Sequence, residues 1–276
     1  MANTVENIQE NIYSDKFDIK MVSNLSLFLF GEKFILLAKD ANEEISAIHQ
    51  KFFADLNSLR FVLERDKLYK LPVKTKVFIF NQQYALVPGL VFDAEQLDKY
   101  LYFNAPQIEA QNQIFTALDS KNIYLTATFE SELIDILSKE GLETSFYHGS
   151  ASFLAYVLKD KSSYINQELF INIHGQESYV AAFKNQELVN FNTYETEDKD
   201  SLIKYVFGVI SQLGLDRKYC RVTVFGDFES LEIDQEFGSL YFKNFILDQP
   251  KSNQQYLSGA EIFQSSNLFE AYWEFR

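Results

Sequence analysis

The residues of this sequence best suited to chemistry are three histidines, one cysteine and several groups of carboxylates. His49, His148 and His174 lie far apart, and none has a second histidine or a cysteine at the short spacing that a zinc site needs. Cys220 has no histidine near it in the sequence, and a lone cysteine is more often a small buried hydrophobe than a nucleophile. We therefore predict structural roles, and His174, at the end of a predicted strand, is the histidine to follow.

The carboxylates concentrate in two stretches, Glu195–Asp200 and Glu229–Glu236. The first is typical of the opening turn of a helix, whose dipole favours negative charge, and the second of a solvated face. The sequence contains no Gly-x-Ser-x-Gly elbow, no Walker loop and no Gly-x-Gly-x-x-Gly motif. A nuclease of ribonuclease-H-like topology needs paired carboxylates on its central strands, where this sequence offers Asn172, so that function is disfavoured.

Composition narrows the class of partner. The chain has 25 basic and 39 acidic residues, a net charge of −14, which repels phosphate backbones and anionic membranes. The first residues lack the basic and apolar regions of a signal peptide, and the apolar runs are far shorter than the roughly 20 residues of a membrane span. We expect a cytoplasmic protein that has a protein partner and no nucleic-acid or membrane partner.

Apolar periodicity predicts alternating strands and helices in the first part of the chain. A polar stretch over Asn104–Gln113 is predicted to be a loop. Gly141 is predicted to close the last but one helix. The predicted strands are Leu25–Phe30, Phe34–Ala38, Ile45–Phe53, Lys76–Phe80, Tyr84–Val87, Ile114–Leu118 and Ile123–Phe129, and the predicted helices are Leu56–Leu68, Asp93 to about Phe103, Glu130–Lys139 and Gly149–Leu158.

The polar stretch Lys159–Gln167 is the best candidate for a boundary. Beyond it we predict a three-stranded meander, a helix that begins at a Thr196 cap and ends at Gly214, and a further strand. Leu137–Leu142 and Ile210–Leu215 end their helices in the same way and lead to a strand, which indicates two related halves. The predicted organisation is a polar tail over 1–18, a first half over 19–162 and a second half over 163–276; the strands of the second half are Glu168–Ile173, Tyr179–Phe183, Leu188–Tyr194 and Arg221–Phe225.

The stretch Leu169–Val189 resembles the second phosphate-binding hairpin of the actin-like ATPase superfamily, in the form seen in type IV pilus assembly proteins. Gly149–Ala155 and Val222–Asp227 resemble the segments on either side of that hairpin. The chain as a whole, from about Leu25 to Phe275, is similar to an uncharacterised bacterial family with an actin-like ATPase fold. The phrases Ala85–Asp93, Tyr100–Asn104 and Leu188–Glu195 carry this narrower resemblance. It implies an α/β, ribonuclease-H-like fold of two related halves, each a mixed sheet flanked by helices.

The nucleotide loops depart from the pattern of that superfamily. Where the resemblance implies an Asp and a Gly at the second loop, this chain has Asn172 and His174, although Gly175 and Ser178 suit the turn. The first loop, Leu27–Gly31, has no Asp, and the adenosine loop keeps a single glycine. Asn172 cannot give negative charge to a magnesium-bound water. The resemblance thus implies a degenerate nucleotide site whose candidate residues are Gly31, Asn172, His174, Gly175, Ser178, Gly226 and Asp227.

Three functions follow from these departures. The first is a non-catalytic actin-like module that binds a protein partner or scaffolds an assembly, since a fold alone does not transmit activity. The second is a divergent protein that holds ATP and magnesium with slow or no hydrolysis, which requires the retained glycines, Asn172 and Ser178 to meet in a cleft between the halves. The third is a hydrolase or nuclease, which requires at least two carboxylates there. We expect no catalytic residue, no metal site and no obligatory cofactor.

Overall fold

The computed structural model describes residues 10–102 and 111–276. Its contacts divide the chain into two compact units. The first unit contains the chain up to Gly149 together with Gln254–Phe263, and the second contains Ser150–Asn253 together with Gln264–Arg276. The sequence predicts a boundary between the two halves after residue 162, and that boundary stays a prediction. Among the described residues, no helix is long and apolar enough to cross a membrane.

The described residues form fifteen strands and six α-helices. The strands are β1 (Glu10–Tyr13), β2 (Asn24–Leu29), β3 (Lys33–Lys39), β4 (Glu44–Phe52), β5 (Lys74–Ile79), β6 (Tyr84–Pro88), β7 (Gln111–Leu118), β8 (Ile123–Glu130), β9 (Thr144–His148), β10 (Gln167–His174), β11 (Glu177–Lys184), β12 (Glu187–Glu195), β13 (Arg221–Gly226), β14 (Asn244–Leu247) and β15 (Gln255–Tyr256). The helices are α1 (Leu56–Arg65), α2 (Leu97–Leu101), α3 (Ser131–Leu137), α4 (Ser150–Lys159), α5 (Lys199–Leu213) and α6 (Gln235–Tyr241).

The first unit is built on a seven-stranded mixed sheet with the order β1-β4-β3-β2-β5-β9, in which β15 also pairs with β4. Strand β2 is antiparallel to β3 and parallel to β5, and β5 is parallel to β9. A separate antiparallel sheet, β6-β8-β7, belongs to the same unit. Strands β2, β3 and β4 thus form an antiparallel meander, and the chain then passes through α1 into β5.

The second unit repeats this order in a five-stranded mixed sheet, β12-β11-β10-β13-β14. Strand β10 is antiparallel to β11 and parallel to β13, as β2 is to β3 and β5. The core lies where α5 and α6 cover one face of the sheet, and it holds the side chains of Ile171, Val206 and Val224. The two units therefore share one topology, which is the physical basis of the internal similarity seen in the sequence.

The observed ends of α5 and α3 differ in part from those predicted from the sequence. The Asp198 side chain caps α5 in a capping box with Ser201, so the predicted Thr196 cap is wrong; Thr196 Oγ1 instead lies 2.8 Å from Ser178 Oγ. Gly214 ends α5 in the left-handed conformation with a φ of 62°, which confirms the predicted stop. By contrast, α3 ends at Leu137, before the predicted stop at Gly141.

Two segments predicted to lack regular structure contain strands. The predicted polar tail contains β1, which pairs with β4 through Glu10–Tyr13; residues 1–9 lie outside the described residues. Likewise, the loop predicted over Asn104–Gln113 lies outside the described residues up to residue 110, and from Gln111 onward it is part of β7. Both strands lie at a sheet edge, and the residues missed, in β1 and at the start of β7, are mostly polar and lack apolar alternation.

Candidate functional site

Gly31 follows β2 in the first unit and borders a pocket of about 350 Å³. The walls of this Gly31 pocket are mostly apolar, and its polar lining residues are Asn81, Gln82, Gln83 and Glu130. The Phe30 and Phe80 rings stack at its edge with centroids 4.4 Å apart. The other apolar lining residues are Leu29, Phe53, Leu56, Leu59, Ile79, Phe129 and Leu133. The first loop is thus the mouth of an aromatic pocket.

Three backbone amides at or next to this pocket have carbonyl partners. Phe30 N donates to Lys33 O at 2.8 Å, and Phe80 N donates to Leu29 O at 3.0 Å. Gly149 N donates to Ile79 O at 2.8 Å, and a Cβ at Gly149 would lie 2.4 Å from the Phe80 ring. A phosphate is held by several backbone N–H groups that point at one place. The backbone N–H groups of Phe30, Phe80 and Gly149 are therefore not available to bind a phosphate.

In the second unit, the structure brings Asn172 and Gly226 together. Strand β10 pairs in parallel with β13, so that Asn172 lies opposite Phe225 and Ile173 opposite Gly226. The Asn172 side chain is 2% exposed, and its Oδ1 has no hydrogen-bond partner among the described residues. A Cβ at Gly226 would lie 2.7 Å from that oxygen and 2.2 Å from Ile173 O. Gly226, with a φ of 82°, is therefore required by the close approach of the backbones.

Ser178 does not join this pair. It lies opposite Ile173 in the hairpin, whereas Asn172 lies opposite Tyr179, so the side chains of Ser178 and Asn172 project from opposite faces of the sheet. Ser178 is fully buried and its hydroxyl contacts Thr196. The two candidate residues that were expected to face one cleft thus have separate surroundings.

The remaining candidates lie at the ends of β10 and β13. His174 is 8% exposed and shares the Asn172 face, two residues further along the strand. Gly175 is exposed in the turn that follows, with a φ of 56°. Asp227 is half-buried, and its backbone N donates to Ile173 O at 2.9 Å. Their role in nucleotide binding stays a prediction.

Aromatic side chains cover the Asn172 face of this sheet. The Phe225 ring lies 6.2 Å from Phe269, and Tyr156 of α4 lies 5.6 Å from Phe225. Tyr156 also contacts Trp273, with centroids 5.8 Å apart. Sequence reasoning missed this C-terminal contribution, and the only signal for it was the aromatic content of the last residues. A neutral amide is therefore buried on a face covered by rings, at the position where the resemblance implies a carboxylate.

The resemblance implies magnesium and ATP, and the chemistry of these residues tests whether they fit that group. Magnesium-bound phosphate requires carboxylates for the metal and free amides for the phosphate. The loops described above supply stacked phenylalanines, a neutral asparagine and, at the Gly31 pocket, three backbone amides that are already paired. Within the described residues, no group of three or more His, Cys, Asp or Glu side chains is placed to hold a metal ion. The residues at these loops do not fit a magnesium-bound nucleotide.

The cysteine and two of the histidines are deeply buried. Cys220 belongs to the core under α5, and burial raises the pKa of its thiol to about 12. His49 is 3% exposed, and its Nδ1 lies 2.6 Å from Asp66 Oδ2. His148 Nε2 donates to Asn81 O at 2.9 Å, and the Tyr84 ring packs 4.7 Å from the imidazole. These surroundings are those of structural residues.

Because His148 is buried, we expect the stability of the first unit to fall at acid pH. Burial lowers the pKa of His148 to about 4, against 6.5 for the unperturbed group, although the hydrogen bond to Asn81 opposes this shift. Because the unfolded chain binds the proton more readily, stability is unaffected above pH 6.5 and falls as the pH drops towards 4, by about 3 kcal/mol in total. Urea unfolding across this pH range measures the loss, and His148→Gln should remove that part of it. Equal pH slopes in the two proteins would contradict the assignment.

Comparison with known proteins places the chain in a family. The model of a family described as "Protein of unknown function (DUF3822)" matches residues 19–257. The chain belongs to the DUF3822 family. No curated protein matches the sequence of this DUF3822 chain. The predicted membership of an uncharacterised family is confirmed.

Solved structures show the fold of this DUF3822 chain. A Bacteroides thetaiotaomicron protein with an actin-like ATPase fold and unknown function is 16% identical, with a TM-score of 0.74 over 84% of this chain and 93% of that one. A chain of the PilM–PilN type IV pilus biogenesis complex is 10% identical, with a TM-score of 0.60 over 91% of this chain and 96% of that one. At these identities the likeness concerns the fold alone. The predicted actin-like fold class is confirmed.

Proposed function

We propose that this chain is a non-catalytic actin-like module that acts by binding a protein partner or by scaffolding an assembly. The observation that carries the proposal is the Gly31 pocket, where the fold's first nucleotide loop is replaced by an apolar recess of about 350 Å³. Stacked rings and paired amides suit an apolar side chain better than a phosphate, because phosphate requires unpaired donors. The partner's contact is therefore an apolar or aromatic side chain on a peptide segment.

The acidic net charge of the chain and the role of a protein with the same fold support the same function. A net charge of −14 favours a partner with a basic surface around its apolar anchor. A chain of the same fold takes part in the PilM–PilN type IV pilus biogenesis complex, which is an assembly of proteins. We carry from that protein to this one only the role of a component in a protein complex.

A divergent nucleotide-binding protein is the second candidate, and one observation favours it. Asn172 Oδ1 is a buried acceptor without a partner in the described residues, and such an atom costs about 1–3 kcal/mol unless something pairs with it. A phosphate brings only acceptors to this site, so a donor, such as a metal-bound water or a ribose hydroxyl, would have to meet Asn172. This requirement makes the second candidate weaker than the first.

Thermal unfolding with millimolar Mg-ATP or Mg-ADP separates the two candidates. A ligand at a hundredfold excess over its Kd stabilises a protein by ~2.7 kcal/mol, which raises Tm by several degrees. We expect no change in Tm. The controls are Asn172→Ala and an active actin-like ATPase measured in the same way. A saturable rise in Tm that Asn172→Ala abolishes would replace the first candidate with the second.

Binding of a protein partner at the Gly31 pocket is tested by site-specific photocrosslinking in the cell of origin. Gln82 is an exposed residue on the rim of the Gly31 pocket, and a photoreactive amino acid there should join one partner reproducibly. Leu240, which is 74% exposed in the second unit, is the matched control position. The purified partner must then bind the wild-type chain and bind Leu133→Glu, altered inside the pocket, at least tenfold more weakly. Adducts that are the same from both positions would count against the pocket.

A further inference from the structure

A second pocket of the first unit lies where α1 and α3 end, and it shares no lining residue with the Gly31 pocket. Its volume is about 580 Å³. Half of its wall is apolar, and the residues that form this part are Leu63, Tyr69, Leu71, Pro72, Ile136 and Leu142. The function proposed above makes no use of this space, which we call the Lys139 pocket after the amine that lines it.

Lys139 is held in place in this wall without a carboxylate partner. Its Nζ donates to Leu71 O at 3.3 Å and lies 4.5 Å from the centroid of the Tyr69 ring. The Tyr69 hydroxyl donates to Leu137 O at 2.9 Å, which fixes the ring against the end of α3. No carboxylate of the described residues lies within ion-pair distance of Lys139 Nζ. The amine thus rests on a ring and a single carbonyl.

The surroundings of Lys139 favour its neutral form. Burial lowers the pKa of this amine to about 8, although the charge of Asp66 opposes the shift. An exposed lysine has a pKa near 10.4, so the neutral, nucleophilic fraction of Lys139 at neutral pH is roughly a hundredfold larger. The charged residues that line the same pocket are Arg60 and Glu64 of α1, Lys70 after it, and Asp135 of α3.

We propose that Lys139 binds a small aldehyde or ketone with an apolar chain as a Schiff base in this pocket. The lone pair of Nζ forms a bond to the carbonyl carbon as the C=O π bond opens onto oxygen, and one proton passes from nitrogen to that oxygen to give a neutral carbinolamine. Loss of the nitrogen proton and of the hydroxyl group as water then gives the imine, with no oxidation or reduction. The apolar wall holds the chain of the ligand. This activity is independent of the protein-binding function proposed above.

The test is reductive alkylation of the full chain by limiting hexanal and sodium cyanoborohydride, which traps the imine as a secondary amine. Peptide mass spectrometry then gives the rate at each lysine. We expect Lys139 to react at least tenfold faster than Lys70, an exposed lysine of the same pocket. The Lys139 rate should level off above about pH 8, whereas the rate of an ordinary exposed lysine, with a pKa near 10.4, continues to rise. Formaldehyde, which has no chain, should show a much smaller preference.

Two variants and three contrary results complete the test. Lys139→Arg should lose the fast modification, and Lys70→Arg should keep it. Equal rates at Lys139 and Lys70 would overturn the proposal. So would a Lys139 rate that rises with pH as an exposed lysine does. Equal preference with hexanal and formaldehyde would also overturn it, because the pocket would then contribute nothing to binding.

Discussion

Replacement of Asp66 by alanine should lower the free energy of unfolding of the first unit by about 3–5 kcal/mol, which is the usual cost of removing one partner from a buried ion pair. The Asp66 side chain is fully buried just after α1. Its Oδ2 lies 2.6 Å from His49 Nδ1 and 2.8 Å from Lys51 Nζ. Its Oδ1 accepts from the backbone N of Leu68 at 2.9 Å. Alanine would leave all these donors without a partner.

The same carboxylate ties the chain's beginning to the sheet. His49 Nε2, the other ring nitrogen, lies 2.9 Å from the Tyr13 hydroxyl of β1. Asp66 therefore orients His49, and His49 in turn holds Tyr13, so that three separate segments share one network. We expect Asp66→Ala to loosen β1 as well, which faster amide exchange at Ile12 of β1 and the adjoining Ser14, whose amides face β4, would report.

Asp66 also sets a lower pH limit for the unit. Burial alone would raise the pKa of Asp66, but hydrogen bonds from His49 and Lys51 outweigh it and hold the pKa well below its ordinary value. Because the folded state binds the proton less readily, this stabilisation is complete above pH ~4 and is lost as the pH falls further. Loss of the Asp66 contribution thus begins where the loss from His148 has ended.

Chemical denaturation of Asp66→Ala at pH 7 checks the magnitude. The matched control is Glu143→Ala, which removes an exposed ion pair with Lys74 of nearly the same length, 2.6 Å. Exposed pairs contribute little because water screens them, so this variant should unfold almost as the wild type does. Similar losses in the two variants would show that burial does not strengthen the Asp66 network.

Replacement of Gly226 by alanine should destabilise the second unit by about 3 kcal/mol, without any nucleotide present. The added Cβ would lie 2.2 Å from Ile173 O, an atom that already accepts from Asp227 N at 2.9 Å. Relieving the overlap requires the backbones of β10 and β13 to separate. The estimate combines ~1–2 kcal/mol for alanine at a left-handed φ with ~1–3 kcal/mol for overpacking.

Gly175 gives a matched control for this second result. Its φ of 56° is also left-handed, but a Cβ there would have no atom within 4 Å. Gly175→Ala should therefore cost only the conformational part, about 1 kcal/mol. A melting temperature for each variant, measured with and without Mg-ATP, separates packing from ligand binding. If both variants lose the same stability, the close contact at Gly226 is not the reason for its glycine.

The comparison of sequence with structure is clearest at the helix ends and the sheet edges. The stop of α5 at Gly214 was predictable because a glycine with positive φ is a local requirement. The start of that helix was misplaced because Thr196 and Asp198 are both good caps, and the choice depended on Ser178 drawing the threonine hydroxyl away. Strand β1 was missed because its polar residues gain their place only by pairing with β4.

The sequence by itself indicated two related α/β halves, because short-range patterns of strands, turns and helices repeat in the same order in both. The actin-like fold was implied by the resemblance of the Leu169–Val189 stretch. The sequence also showed an asparagine, Asn172, where the resemblance implies an aspartate, because the residue type at a position is read directly from the sequence. Only the tertiary structure decided that Asn172 and Ser178 lie on opposite faces, that stacked rings border the Gly31 pocket, and that Asp66 contacts His49 and Lys51. Those outcomes depend on register and on contacts between distant segments, which local residue preferences do not encode.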